Sequence, residues 1–193
     1  MSALLGIIAV IVNLIGYIPY IRDIYVGKVR PQRITWGLWL ILTSVTAVNQ
    51  VRNGGGWSSL FFITTSVLVL ITFLLSLKRG IGGGSKTDFI CLGMAGLLLV
   101  YWVLTRDSKN STYIAIAIDA VGLIPTILKT RIDPSSETYI QWVMAAIAGV
   151  FTMLSVGRFV VVLLAYPMYI IVGNGAIVLT KYIFDSKRVK AET

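Results

Sequence analysis

Seven apolar runs of about 17 to 25 residues follow one another along this chain of 193 residues. As helices, runs of that length match the hydrocarbon thickness of a bilayer. The mean hydropathy is +0.85 and only 13% of residues are charged, which leaves too little polar surface for a soluble domain. The sequence therefore predicts an all-α integral membrane protein with transmembrane helices at approximately Ala3–Ile21, Ile34–Val51, Trp57–Leu77, Asp88–Thr105, Thr112–Leu128, Thr138–Val156 and Phe159–Phe184.

Basic residues are divided unevenly between the two sides of the predicted membrane. Apart from Arg52, Arg106, Lys109 and Arg158, every Lys and Arg falls in alternate loops, at the adjoining helix ends or in the C-terminal tail. Because cytoplasmic loops retain positive charge during insertion, we expect the N-terminus outside and the C-terminus in the cytoplasm of a bacterial or archaeal plasma membrane. The net charge of +9 lies in these loops and not on a polar domain, so we expect no nucleic-acid partner.

Two segments of the chain match at an offset of 106 residues. Residues 13–19 read NLIGYIP and residues 119–125 read DAVGLIP, and the same offset relates Trp36 to Trp142. The alternative is coincidence among apolar residues. A duplication makes residues 1–80 and 109–184 two three-helix repeats, joined by a linker helix in 81–108 and followed by a basic cytoplasmic tail, 185–193.

The extra fourth helix determines how the predicted repeats are related. A three-helix unit ends on the membrane side opposite to its start, so one further crossing gives the second unit the orientation of the first. The repeats are therefore predicted to be parallel. Carriers with such repeats hold their substrate between them, near the bilayer midplane.

The chemistry of most enzymes is missing from this composition. The chain has no histidine, and its one cysteine, Cys91, lies inside an apolar run. The commonest general base and metal ligand are therefore absent, and no pair of buried acids is evident. We expect no enzyme activity, no metal site and no cofactor. A retinal protein would need a lysine deep in a span, whereas Lys181 lies near the cytoplasmic end of the seventh.

Asp119 is the only acid predicted near the middle of a span, where a charge costs roughly 2.5 to 3.5 kcal/mol on insertion scales. An acid at that depth can take and release a proton while a carrier cycles, and we assign Asp119 to proton coupling. The alternative is a structural Asp that holds the fifth helix against the first through Asn13. Asn13 is its repeat mate, and both are predicted to face the central axis.

Several other residues are candidates for ligand binding. Trp39, Tyr17 and Tyr20 can stack on a ligand. Asn174 lies between Gly173 and Gly175, so its amide has room to bind a polar ligand, or alternatively to join two helices.

Two further pairs are related by the repeat. Trp36 and Trp142 are predicted to anchor the cytoplasmic ends of their helices in the aromatic belt. Pro19 and Pro125 each remove a backbone hydrogen bond, which predicts a hinge or a fixed bend in the first and fifth helices.

The repeated segments also resemble a known family. GYIPYIRDI (16–24) and GLIPTILKT (122–130), each followed by a short loop and another helix, resemble the two PQ-loops of SWEET-like membrane carriers. The 3+1+3 layout of that superfamily covers nearly the whole chain. Tyr20 and Thr126 follow the motif prolines in place of Gln, and the literal Pro31-Gln32 pair lies in the loop, where we interpret it as loop chemistry.

The resemblance implies a function and some of its residues. The superfamily includes sugar facilitators, vitamin carriers, lysosomal amino-acid exporters and the KDEL receptor. In SWEET carriers an Asn on the third and the seventh helix binds sugar; Asn174 matches, but Leu68 stands at the first position. Paired prolines accompany gating in this family, which favours the hinge interpretation of Pro19 and Pro125.

We therefore expect a transporter of a small polar solute (a sugar, amino acid or vitamin) that works by alternating access, with proton coupling through Asp119. The alternative is a non-transporting receptor or sensor of KDEL-receptor-like architecture. The expected partners are the solute and the lipid bilayer. The sequence leaves both a monomer and a homo-oligomer open.

Overall fold

The chain is all-helical in the part that its computed structural model describes, residues 2–52, 57–105, 111–156 and 161–192. The helices are α1 (Ser2–Tyr25), α2 (Arg33–Arg52), α3 (Trp57–Arg79), α4 (Lys86–Thr105), α5 (Ser111–Ile132), α6 (Tyr139–Ser155) and α7 (Val161–Glu192), with a 3-10 turn at Pro134–Ser136. The predicted all-α class is confirmed. Of the sequence predictions, Arg106, Lys109, Arg158 and the Phe159 start of the last span lie outside the described residues.

Four helices contain segments long and apolar enough to cross a membrane, namely Ser2–Tyr25, Phe61–Arg79, Tyr113–Ile132 and Leu164–Arg188. Helix α6 is apolar but has only 17 residues. Large apolar side chains such as Ile18 and Leu97 are exposed on the outside of the bundle. Exposing such a surface is unfavourable in water but not in lipid. These features indicate a membrane location, and the seven crossings stay a prediction.

The helices pack as two groups of three, with α4 at the edge. Helix α3 packs against both α1 and α2, and α7 packs against both α5 and α6. Between the groups, α1 contacts α6 and α2 contacts α5. Helix α4 contacts α5 and, less extensively, α2. We call α1, α2 and α3 the first unit and α5, α6 and α7 the second unit; each has its last helix in the middle.

Close contacts between the units occur at two glycines. A Cβ atom added to Gly16 of α1 would lie 2.8 Å from Met144 Cβ of α6. One added to Gly122 of α5 would lie 3.4 Å from Leu38 Cδ1 of α2. Gly122 lies 106 residues after Gly16, and Leu38 lies 106 residues before Met144, so the two contacts involve corresponding positions of the two units. The same two positions therefore bring the units together on both sides of the bundle, more tightly at Gly16.

Gln32 connects the starts of two helices. Its Oε1 accepts hydrogen bonds from the backbone N–H groups of Ile34 (2.7 Å) and Thr35 (3.3 Å), which caps α2. Its Nε2 donates to Asp88 Oδ1 at 2.5 Å. Asp88 Oδ2 accepts from the backbone of Ser85, whose hydroxyl accepts from Asp88 N, so the two close a capping box on α4. The loop chemistry of Gln32 is thus helix capping.

The prediction that Trp36 and Trp142 form part of the aromatic belt is wrong. Their side chains are 0% and 1% exposed, and their ring centroids lie 6.2 Å apart between the two units. Tyr20 packs against both rings, at 5.6 Å and 5.9 Å. The reason is the packing of α1 on α6 and of α2 on α5, which turns the first turns of α2 and α6 inward and away from lipid.

The last helix is longer than predicted. It continues through the basic tail to Glu192, whereas the sequence prediction ends it at Phe184. No Gly or Pro interrupts residues 185–192, and Lys and Arg near a helix C-terminus interact favourably with its dipole. Lys181 and Asp185 add an ion pair one turn apart.

A matched pair of alanine variants tests the glycine contacts. Gly16→Ala should lower the stability by about 1 to 3 kcal/mol, because Met144 Cβ is attached directly to the backbone and cannot rotate away. Gly122→Ala should change it by less than about 1 kcal/mol, because its new methyl group would be in ordinary contact with Leu38. Thermal unfolding in detergent measures both. Equal effects of the two variants would contradict the asymmetry.

Candidate functional site

A cavity of about 100 Å³ lies between the two units. All six helices of the units contribute to its walls, and α4 contributes none of the described lining residues. That volume accommodates several water molecules or a small solute. The polar and aromatic side chains that line it are Asn13, Tyr17, Trp39, Thr43, Phe61, Phe62, Thr65, Asp119, Gln141, Trp142, Tyr166, Tyr169 and Asn174.

Asp119 is the charged residue of this cavity. It is 8% exposed, and its carboxylate accepts hydrogen bonds from Tyr166 Oη at 2.8 Å and Tyr169 Oη at 3.1 Å. Both tyrosines belong to α7, three residues apart, so they project from one face of that helix. Trp39 of α2 is also directed toward the carboxylate, although its Nε1 makes no hydrogen bond within the described residues. The cavity thus holds a carboxylate with two hydroxyl donors and no cationic partner among its described lining residues.

Asn13 lines the same cavity but does not bond to Asp119. Its Nδ2 donates to Thr65 Oγ1 of α3 at 3.1 Å. The two residues therefore line one cavity, while each is held by its own unit. These hydrogen bonds do not support the alternative in which Asp119 joins α5 to α1 through Asn13.

Two further amide side chains line the cavity. Asn174 Nδ2 donates to the backbone oxygen of Ile170 at 2.7 Å, one turn earlier in α7, which leaves its Oδ1 as the group available to a ligand. Gln141 is 2% exposed and its Oε1 has no hydrogen-bond partner within the described residues. Gln141 was missed by the sequence analysis. A polar residue in the first turn of α6 was the only available signal.

The other predicted site residues divide into two groups. Tyr17 and Trp39 line the cavity. Tyr20 does not; it is fully buried next to Trp36 and Trp142, and its hydroxyl faces away from the cavity lining, toward Glu137. Pro19 and Pro125 lie inside α1 and α5 and are not part of the lining.

The end of the bundle where α1 and α5 end and α2 and α6 begin, which we call the basic end, contains a buried ion pair. Glu137 is 2% exposed and pairs with Lys129. Glu137 also accepts hydrogen bonds from Tyr20 Oη and from Trp142 Nε1, each at 3.1 Å. Lys129 Nζ donates in addition to the backbone oxygen of Arg30 at 2.7 Å. Sequence analysis did not find this pair, since nothing local signals that Glu137 is buried.

Arg30 adds further bonds between the two units at the basic end. Its guanidinium pairs with Asp133, and its backbone N–H donates to Ser136 O at 3.0 Å. Partial burial raises the pKa of Asp133, but hydrogen bonds from Ser135 and the charge of Arg30 outweigh it and hold that pKa below its usual value. The carboxylate therefore stays ionised at neutral pH and keeps its pairing with Arg30.

Comparison with family models, curated proteins and solved structures found no match for this chain. Within the described residues, no group of three or more His, Cys, Asp or Glu side chains is placed to hold a metal ion. The site is therefore interpreted from its own geometry. The resemblance to SWEET-like carriers stays a prediction from the sequence.

The buried ion pair can be tested by breaking it from one side. Lys129→Met should destabilise the protein by about 3 to 5 kcal/mol, because Glu137 is left buried without its counter-charge. The double variant Lys129→Met/Glu137→Gln should recover most of that loss, because a neutral amide oxygen can still accept from Tyr20 and Trp142. Thermal unfolding of the three proteins in detergent measures both effects. A double variant no more stable than Lys129→Met would show that the pairing does not set the stability.

Proposed function

We propose that this chain crosses the bilayer seven times and carries a small polar solute by alternating access of its two three-helix units. The observation that carries the proposal is the central cavity, which is lined from all six helices of the two units and contains a buried carboxylate and three amide side chains. Polar groups of this kind are costly inside a membrane and are usually retained for a function.

The relation between the units supports parallel repeats. The contact of Gly16 with α6 and that of Gly122 with α2 occupy corresponding positions in the chain. Each unit has its third helix between the other two, and α4 stands outside both. A single extra crossing at α4 is what two parallel units require, with the N-terminus outside and the basic end in the cytoplasm.

The distribution of hydrogen bonds between the units supports a hinged motion. Within the described residues, every side-chain hydrogen bond that joins the units lies at the basic end or one turn above it. The upper ones are Thr35 Oγ1 to Gly122 O at 2.6 Å and Thr126 Oγ1 to Thr35 Oγ1 at 2.9 Å. At the level of the cavity, Asp119 and Asn13 bond only within their own units. This conformation is therefore closed at the basic end, and an opposite one needs these bonds to break.

Pro19 and Pro125 are suited to act as hinges in that change. They lie between the cavity residues Asn13 and Asp119 and the basic end, and they leave the backbone oxygens of Ile15 and Val121 without their helical donors. Bending at both positions would separate the loop that follows α1 from the loop that follows α5, while leaving the cavity walls largely intact.

Asp119 is suited to couple solute movement to protons. The carboxylate is buried, and its two hydroxyl donors come from α7 of the same unit, so they move with it. Protonation removes the charge and makes reorientation across the bilayer easier. The carrier would thus reorient with either a proton or a solute at this position.

Transport can be tested in proteoliposomes that contain a pH-sensitive dye, with sugars, amino acids, amines and vitamins as candidate solutes. At least one solute should drive proton movement, and the Asp119→Asn variant should lose at least about 90% of it because it has no titratable group there. Asp23→Asn is the control. It removes an acid from the last turn of α1, outside the cavity lining, and should keep the activity. Solute binding without any flux would favour a receptor instead.

The hinge prolines can be tested in the same assay. Pro19→Ala and Pro125→Ala each restore a backbone hydrogen bond, so flux should fall several-fold while solute affinity changes little. Pro167→Ala in α7, a third proline inside a helix, is the matched control and should slow flux less. If all three variants slow transport equally, α1 and α5 have no special role in the movement.

A further inference from the structure

We propose that the cavity binds a small organic cation with N–H donors, an amine or an amidine, on the Asp119 carboxylate, and that this cation and a proton exclude each other there. The inference names the substrate class of the proposed carrier. Only its transport step rests on that function; the binding site stands on the geometry of the cavity.

The charge of the cavity favours a cation. Asp119 is the one charged side chain among the described residues that line it, and no Lys or Arg lies beside it. Lys129, ten residues later on α5, lies roughly 15 Å further along the helix and is paired with Glu137. An ionised carboxylate in such a place requires a counter-charge, which a proton or a bound cation can supply. An anionic solute would meet only repulsion.

The aromatic walls favour a cation as well. Tyr166 and Tyr169, with ring centroids 6.1 Å apart, stand on the α7 side of Asp119. Trp39 and Trp142, 5.9 Å apart, belong to α2 and α6 and line the same cavity. The faces of Trp and Tyr attract cations, and the attraction grows when water is excluded.

Several of the hydrogen-bonding groups left to a ligand are acceptors. The hydroxyls of Tyr166 and Tyr169 are already donated to Asp119, and Trp142 Nε1 is donated to Glu137. Gln141 Oε1 is buried without a partner, and Asn174 keeps its oxygen because its nitrogen is donated to Ile170. A ligand that brings several N–H groups satisfies these oxygens. A sugar needs donors and acceptors in similar numbers, and among the described residues that line the cavity Trp39 Nε1 is the one buried donor without a hydrogen-bond partner.

Competition with protons follows from the groups that face Asp119. Tyr17 of α1 and the two tyrosines of α7 are the titratable neighbours, and α2 and α6 contribute Trp39, Gln141 and Trp142. Helix α4 packs on another side of α5, where Cys91 lies among apolar residues that include Ile118. Phenol hydroxyls stay protonated below about pH 9, so Asp119 is the group among these that can exchange its proton for a bound cation.

The test is equilibrium binding to the purified full chain in detergent, measured by thermal shift and calorimetry. Three probes remain cationic across the pH range and carry N–H donors: benzylamine, butylamine and benzamidine. Each is compared with neutral or anionic counterparts, benzyl alcohol, butanol and benzoate. Benzyltrimethylammonium keeps the charge but has no N–H group.

We expect at least one N–H cation to raise the melting temperature. That cation should bind at least about tenfold more tightly than its neutral counterpart and than benzyltrimethylammonium. Its affinity should increase from about pH 5 to about pH 8, and binding at the lower pH should release a proton into weakly buffered solution. Asp119→Asn should abolish binding and Asp23→Asn should not. Gln141→Leu should weaken binding several-fold without removing its pH dependence.

Three results would overturn the proposal: no shift from any cation, equal binding of amine and alcohol, or amine binding that survives Asp119→Asn. The proton release is measured on the unaltered protein, so a poorly folded Asp119→Asn variant does not prevent a decision. Amine binding without flux would leave the site standing and refute the carrier. Flux of a neutral solute without amine binding would refute the amine site and leave the carrier standing.

Discussion

The buried carboxylate of Glu137 holds the two halves of the bundle in register. A carboxylate without water needs its charge and its lone pairs satisfied, and here α5 supplies Lys129, α1 supplies Tyr20 and α6 supplies Trp142. Those three helices can provide these donors only if they converge at the basic end. Replacing such a group by apolar residues often costs little, but breaking it is expensive, so it specifies one arrangement more than it adds net stability.

The aromatic layer above Glu137 depends on the same convergence. Tyr20, Trp36 and Trp142 are almost completely buried and lie within about 6 Å of one another, so they fill the space that the converging helices enclose. One turn further, Gly16 removes the side chain that would keep α1 away from α6. The cavity begins where this packing ends, and Trp142 belongs both to the aromatic layer and to the cavity lining.

Sequence reasoning succeeded where the signal is local and failed where it is not. Apart from the end of the last helix, the described helix bounds were predicted to within a few residues, because the length and apolarity of each run are properties of that run. Asn13 and Asp119 were placed in one region because the repeat relates their depths, whereas Asn174 was assigned from its flanking glycines and from the resemblance. By contrast, the burial of Trp36 and the pairing of Lys129 with Glu137 depend on which helices pack across the interface, and nothing in either segment encodes that choice. Gln141 escaped notice for the same reason.

The two units have the same helix arrangement but differ in their polar residues. The differences lie at the basic end and in the cavity. Glu137 stands where the first unit has Pro31, so the carboxylate that locks the basic end has no counterpart there. Asp119 stands where the first unit has Asn13, and its donors Tyr166 and Tyr169 correspond to Leu60 and Ile63. Both changes place a negative charge in the second unit. At the basic end that charge is neutralised by Lys129 from the same unit and bound by Tyr20 from the other, which joins the units. In the cavity the charge has, within the part of the chain that the structure describes, only hydroxyl donors from its own unit, so its neutralisation is left to whatever enters between the units.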